Sequence, residues 1–158
     1  GPRLVVSPFW IVHPVACTNV TVRGVRIESR RLNNDGVDPE SCTDVLIERC
    51  TFDTGDDAVA IKSGRDEDGW RIGRPTENVV VRDCAMPSVW NGVAIGSEMS
   101  GGVRNVYVER CRLGTVRQAL LFKANLDRGG AVEHVRVRDV AVDTALSLVE
   151  FTTAYHGY

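Results

Sequence analysis

Three aspartates are the residues here whose type and spacing can do chemistry. Asp35 lies in Asn33-Asn34-Asp35-Gly36-Val37-Asp38. Asp56 and Asp57 lie in Gly55-Asp56-Asp57-Ala58-Val59-Ala60-Ile61-Lys62. Asp35 and Asp57 are 22 residues apart, and each stands two places before a Val. If 22 residues make one turn of a wound chain, these two stack on adjacent strands, about 4.8 Å apart. Carboxylates held that close cannot all ionise freely, and one tends to keep its proton near neutral pH. A protonated acid beside an ionised carboxylate is the equipment for hydrolysing a glycosidic bond. Asp and Gly also make ordinary solvated turns; the periodicity of the surrounding chain separates the two readings.

That periodicity is present. Five segments follow one pattern of a polar residue, Val, any residue, Val or Ile, two variable residues, then Val or Cys. They begin at Asn19, Asp44, Asn78, Asn105 and His134, at intervals of 25, 34, 27 and 29 residues. Apolar residues alternate, break for two positions and alternate again, which predicts two short strands joined by a bend. The break is often charged, as in Glu48-Arg49 and Glu109-Arg110, so the bend is expected to face water. A second set of apolar runs interleaves with the first: 58–61, 93–95, 119–122 and 147–151. Three strands per repeat and a long period predict an all-β, single-domain parallel β-helix over residues 1–158, with about six to seven coils. Val20, Val45, Val79, Val106 and Val135 should form one interior column. Val25, Cys50, Cys84, Cys111 and Val140 should form another, its cysteines reduced and buried as small hydrophobes. The polar first positions suit a stacked turn ladder, which makes His134 structural.

Three polar loops, 63–75, 96–102 and 123–130, leave the same edge of the second strand set, the edge that carries the aspartates. Loops that leave a solenoid on one side wall a cleft.

Composition excludes several classes. Of the 158 residues, 43% are apolar and 25% charged, and the net charge is −2. Nothing there attracts nucleic acid or an anionic membrane, and no apolar run is long enough to span a bilayer. The opening Gly1-Pro2-Arg3-Leu4 has no signal-peptide character. No cluster with the spacing of a calcium site appears, nor any Walker or dinucleotide motif.

The motifs together resemble glycoside hydrolase family 28, the polygalacturonases, most closely the bacterial exo-acting type. Asn33-Asn34-Asp35 is similar to the family's Asn-Thr-Asp motif. Gly55-Asp56-Asp57 matches its Gly-Asp-Asp, and Ile95-Gly96-Ser97-Glu98-Met99-Ser100-Gly101-Gly102 is similar to a loop of the exo-type enzymes. The resemblance implies a right-handed parallel β-helix and inverting hydrolysis of α-1,4 bonds between galacturonate units, without metal or cofactor. It implies Asp56 as general acid, with Asp35 and Asp57 activating water. It places Asn33, Glu98 and Lys123 at the substrate, with Arg128 as a nearby second cation. It also implies a secreted or periplasmic location.

Two positions depart from the family. In Val89-Trp90-Asn91-Gly92, Trp90 is expected where the family's Gly-His-Gly motif has His, and it could stack on a sugar ring. In Leu121-Phe122-Lys123, Leu121 replaces the Arg of the family's Arg-Phe-Lys, which removes a bidentate partner for a sugar carboxylate. Together with short, open coil ends prone to self-association, these departures support an alternative: a truncated or engineered β-helix that is a non-catalytic scaffold or carbohydrate-binding remnant.

Overall fold

The chain winds because a left-handed residue recurs at the same place in every repeat. In the computed structural model of the protein, which describes residues 1–155, Asn19, Asp44, Asn78, Asn105 and His134 have φ of 55–59°. Asn and Asp tolerate that backbone better than most residues with a side chain. They stack in register: Asn78 Nδ2 donates to Asp44 Oδ1 at 2.9 Å, and Asn105 Nδ2 to Asn78 Oδ1 at 3.1 Å. Gly24, Arg49, Asp83, Arg110 and Asp139 form a second left-handed column, which makes the bend inside each repeat.

Between these corners lie β1 (Arg3–Val5), β2 (Thr18–Arg23), β3 (Arg26–Ser29), β4 (Thr43–Glu48), β5 (Thr51–Thr54) and β6 (Val59–Ile61). Then come α1 (Asp66–Ile72), β7 (Thr76–Arg82), β8 (Ala85–Ser88), β9 (Asn91–Ile95) and β10 (Val103–Glu109). β11 (Arg112–Lys123), β12 (Val132–Arg138) and β13 (Ala141–Thr152) complete the set. β12-β10-β7-β4-β2 form a five-stranded parallel sheet. A second sheet runs β1-β3-β5-β8-β11-β9-β6, with β13 beside β11. β11 and β13 are long enough to serve as the second and third strands of their coils at once, where earlier coils break into β5 and β6 or β8 and β9.

The protein is a parallel β-solenoid of about five turns, fewer than the six to seven expected. The residues that simple division assigned to extra coils are spent on loops and on α1. Both predicted columns are present. Val20, Val45, Val79, Val106 and Val135 pair in register. Val25, Cys50, Cys84, Cys111 and Val140 each precede a register pair and stack likewise. Inward side chains of the middle rungs are covered from above and below, so Ile27, Ile47, Phe52, Ile61, Val79, Val81 and Met86 have no exposed surface. Cys42, Cys50, Cys84 and Cys111 are buried free thiols; Cys17 is free but exposed.

The bend differs from expectation. Arg23, Glu48, Arg82, Glu109 and Arg138 occupy one register column, so charges alternate rung by rung. Glu48 and Glu109 are themselves buried and screened from water by the arginines. Arg82 Nη2 lies 2.7 Å from Glu48 Oε2, and Arg138 Nη2 lies 2.7 Å from Glu109 Oε2. Opposite charges directly across strands favour this register over a slipped one.

The 63–75 excursion contains α1, which the loop reading did not foresee. Asp66, Glu67 and Asp68 fill its first turn, where the helix dipole favours acids, and Gly73 closes it in the left-handed conformation. At the β12–β13 end, inward positions of the last rung lie uncovered, Phe151 at 74% exposure and Val149 at 52%. This is the face to which the expected self-association refers. No helix is long and apolar enough to cross a membrane.

Candidate active site

Side-chain alternation along the third strand of each coil decides what reaches the cleft. In β6, Val59 and Ile61 point into the core, so Ala60 and the following Lys62 point out. Val37 pairs with Val59 and Glu40 with Lys62, which places Asp35 directly over Asp57 on neighbouring rungs, at the 22-residue step. Gly36 permits that closeness: a Cβ there would stand 2.4 Å from the Ala58 carbonyl oxygen.

The same register carries the column onward. Val59 pairs with Val93 and Asn91 with Gln118, so Asp35, Asp57, Asn91 and Gln118 stack. Asn91, not Trp90, is therefore the residue of this rung that faces the aspartates. A one-residue shift reverses the face of every side chain in a strand, and Trp90 sits 53% exposed, its ring 5.1 Å from the Arg117 guanidinium. Asn91 is buried; its Nδ2 donates to Asp57 Oδ1 at 2.6 Å, and its Oδ1 accepts the Gln118 N–H at 3.2 Å.

Asp57 is fully buried, and Lys123 Nζ donates to its other oxygen at 2.8 Å. Asp56 is half-buried and lines a cleft of about 360 Å³, its Oδ1 accepting the Asp57 N–H at 3.0 Å. Asp35, Asn33, Lys123 and Glu98 line the same cleft, with Phe9, Trp10, Lys62, Arg65, Ser97 and Tyr155. The structure thus brings together six of the eight residues singled out from the sequence.

Arg128 and Trp90 are not among the residues lining this cleft. Arg128 has no exposed surface; it lies behind the wall, 3.4 Å from Asp66, with Trp70 Nε1 donating to its carbonyl at 3.0 Å. Leu121 points to the outward face of β11 but packs, buried, with Ala60 and Ala94.

Lys62 was missed as a site residue, although the Ala60–Lys62 alternation predicts its direction. Its ammonium lies 3.0 Å from Glu98, 3.9 Å from Asp35 and from Asp38, and 4.2 Å from the centre of the Trp10 ring. Burial pulls its pKa down, but Asp38, Glu98 and Asp35 together outweigh that and hold it above the ordinary value. Burial pushes Glu98 up, but the Lys62 charge and hydrogen bond overcome this and draw it down to about 2. Burial, then the neighbouring Asp57, drives Asp35 up to about 7, and the same two causes raise Asp56. Asp38, fully buried beside Asp35, is raised well above the usual range by burial first and Asp35 second. The cleft thus holds carboxyl groups that keep protons at mildly acidic pH next to others that do not.

Stability should follow these groups with a definite sign. Folded Asp35 binds its proton more tightly than the unfolded chain does, so its contribution is complete below about pH 4 and is lost as pH rises through about 7. Acting alone it would contribute about 4 kcal/mol, and less here because neighbours share the protons. Glu98 works oppositely: its contribution is present above its ordinary value and is lost as pH falls towards about 2. Urea unfolding should therefore show maximal stability near pH 4–5 and a decline towards pH 7.5 that Asp35→Asn flattens. A profile level between pH 4.5 and 7.5 in the parent protein would contradict this account.

Among the described residues, no group of three or more His, Cys, Asp or Glu side chains is arranged to hold a metal ion.

The sequence profile of glycosyl hydrolases family 28 matches residues 4–155. A probable polygalacturonase of Vitis vinifera is 40% identical over 141 residues, which cover 87% of this chain and 29% of the relative. An endo-polygalacturonase of Pectobacterium carotovorum subsp. carotovorum is 30% identical over 133 residues, covering 83% and 31%. Among solved structures, a hyperthermoactive exopolygalacturonase from Thermotoga maritima superposes with a TM-score of 0.91 at 48% identity, over 94% of this chain and 34% of that one. The chain spans about a third of the length of the relatives it matches. With the Gly-Asp-Asp motif, the stacked aspartates and the solenoid all in register, this chain belongs to glycosyl hydrolases family 28.

Proposed function

We propose that the cleft hydrolyses α-1,4 bonds between galacturonate units of polygalacturonate, with inversion. The observation that carries this reading is the stacking of Asp35 on the buried Asp57 of the adjacent rung, which Lys123 contacts, beside a cleft lined by Asp35, Asp56, Lys62 and Lys123. Asp56 is the general acid. Its raised pKa keeps a proton available, and that proton goes to the glycosidic oxygen as the bond to the anomeric carbon breaks. Asp35 in its ionised form takes a proton from the attacking water. With its pKa raised to about 7, that form becomes plentiful only as pH rises towards 7, so turnover belongs to the range where Asp35 is ionised while Asp56 still holds its proton. Asp57, with one oxygen on Lys123 and the other on Asn91, is held on the rung next to Asp35 and helps to orient that water. Lys123 and Lys62 supply positive charge where an acidic sugar must sit. A polymeric galacturonan substrate implies action outside the cytoplasm.

The test is hydrolysis of polygalacturonate followed by NMR of the first product formed. Inversion of an α bond yields the β anomer first. An α product would sink the inverting mechanism, and no release of reducing ends at any pH from 4 to 7.5 would sink the enzyme reading. A non-catalytic carbohydrate-binding role is the competing reading. It is favoured by Leu121, which leaves Lys123 without the guanidinium the family places beside it.

A further inference from the structure

The segment 7–10 is tied directly to the residues carrying the chemistry. Asn34, with no exposed surface, uses its side-chain amide to donate to the Ser7 and Phe9 carbonyls, at 3.2 Å each. Ser29 Oγ donates to Asn34 Oδ1 and accepts the Ser7 N–H at 3.0 Å, and the Ile11 N–H donates to the Asp35 carbonyl at 3.0 Å. The two rings held by this frame both line the cleft.

Phe9 and Trp10 stack at 4.8 Å between centroids with 25° between planes. Trp10 is held from other directions too. Lys62 lies 4.2 Å from its centroid, and His13, itself 2.7 Å from Glu40, meets it edge-on at 5.0 Å. Phe9 is different. Its backbone is fixed and one face rests on Trp10, yet the residue stays 49% exposed. A ring present only to cover Asn34 or Lys62 would be buried by its task.

We infer that Phe9, backed by Trp10, is an aromatic platform on which one galacturonate ring of the substrate stacks, at the Lys62 end of the cleft. The inference rests on the polygalacturonan reading given above and extends it to a residue outside the acidic motifs. The apolar C–H face of a sugar ring suits an aromatic face, while Lys62, Arg65 and Lys123 in the same cleft favour a sugar acid over a neutral sugar. Rigid backing means that no loop must be ordered when the ring binds, which preserves the gain from stacking.

Trigalacturonate binding, measured by calorimetry and by tryptophan fluorescence at pH 5 in an Asp56→Asn background that prevents turnover, tests the platform. Phe9→Ala should weaken binding roughly five- to tenfold, the loss of one aromatic contact. Phe9→Tyr, which keeps the face, should stay within about twofold. Circular dichroism confirms that both variants are folded. A neutral glucose trisaccharide should bind no variant measurably. Equal affinity in Phe9→Ala and its parent overturns the platform, as does an absence of binding in the parent. The enzymatic reading is judged separately on polymer. Hydrolysis with Phe9-independent binding removes only the platform, whereas Phe9-dependent binding without hydrolysis removes only the enzyme.

Discussion

Asp56→Asn is expected to lower the release of reducing ends from polygalacturonate by a factor of about a thousand or more. General acid catalysis commonly contributes 10²–10⁴-fold, and its share is large when the leaving group is a poorly stabilised sugar alkoxide. The substitution isolates the proton. Asp56 accepts the Asp57 N–H through one oxygen at 3.0 Å, and the carboxamide oxygen of Asn can accept the same bond. Half-buried at the cleft, the side chain forms no ion pair among the described residues whose loss would confuse the result. The melting temperature should therefore move little while turnover collapses. A variant that retained even a tenth of parental activity would show that the leaving oxygen gets its proton elsewhere, and the roles of the three aspartates would have to be reassigned.

Lys123→Met is expected to cost the fold about 3–5 kcal/mol, the usual loss when one partner of a buried ion pair is deleted. Lys123 and Asp57 are both buried and meet at 2.8 Å. Methionine fills a similar volume but leaves the Asp57 carboxylate with only the Asn91 amide. Burial lowers the lysine's affinity for its proton, but Asp57 and then Tyr155 outweigh it and keep the amine protonated well into the alkaline range. The lysine of the pair therefore carries its charge at every pH at which the protein would be assayed. Adding Asp57→Asn to the Met variant removes the orphaned charge and should recover much of the stability, though none of the activity. Urea unfolding of the four members of that cycle measures this coupling. A single variant that loses less than about 1 kcal/mol would mean that Asp57 does not depend on Lys123 for its burial.

Both predictions depend on register, and register was legible before any coordinates. The polar residue opening each repeat sits in a left-handed corner, and the Val and Cys columns stack as their spacing requires. Asp35 over Asp57 follows from the shared Asp-x-Val frame. The same frame contains Asn91-Gly92-Val93, which places Asn91 in the column and Trp90, one position earlier, towards solvent; in a strand one position is the difference between cleft and solvent. Counting coils from residues per turn failed for a related reason: α1 and the loops consume chain without adding a rung.

What the sequence determined by itself is the set of partners that repeat. In a solenoid each residue meets its counterpart one coil later, so spacing alone assigns the core columns and the stacked acids. Only the tertiary structure decided the contacts that do not repeat. Lys62 among Asp35, Asp38 and Glu98 and the burial of Arg128 beside Trp70 join side chains that share no register position, and the Phe9–Trp10 stack lies within one rung, although Phe9 itself meets Asn34 at the 25-residue step. Contacts off the register depend on how loops from different coils fold against one another, where hydrogen-bond geometry and burial choose the partner.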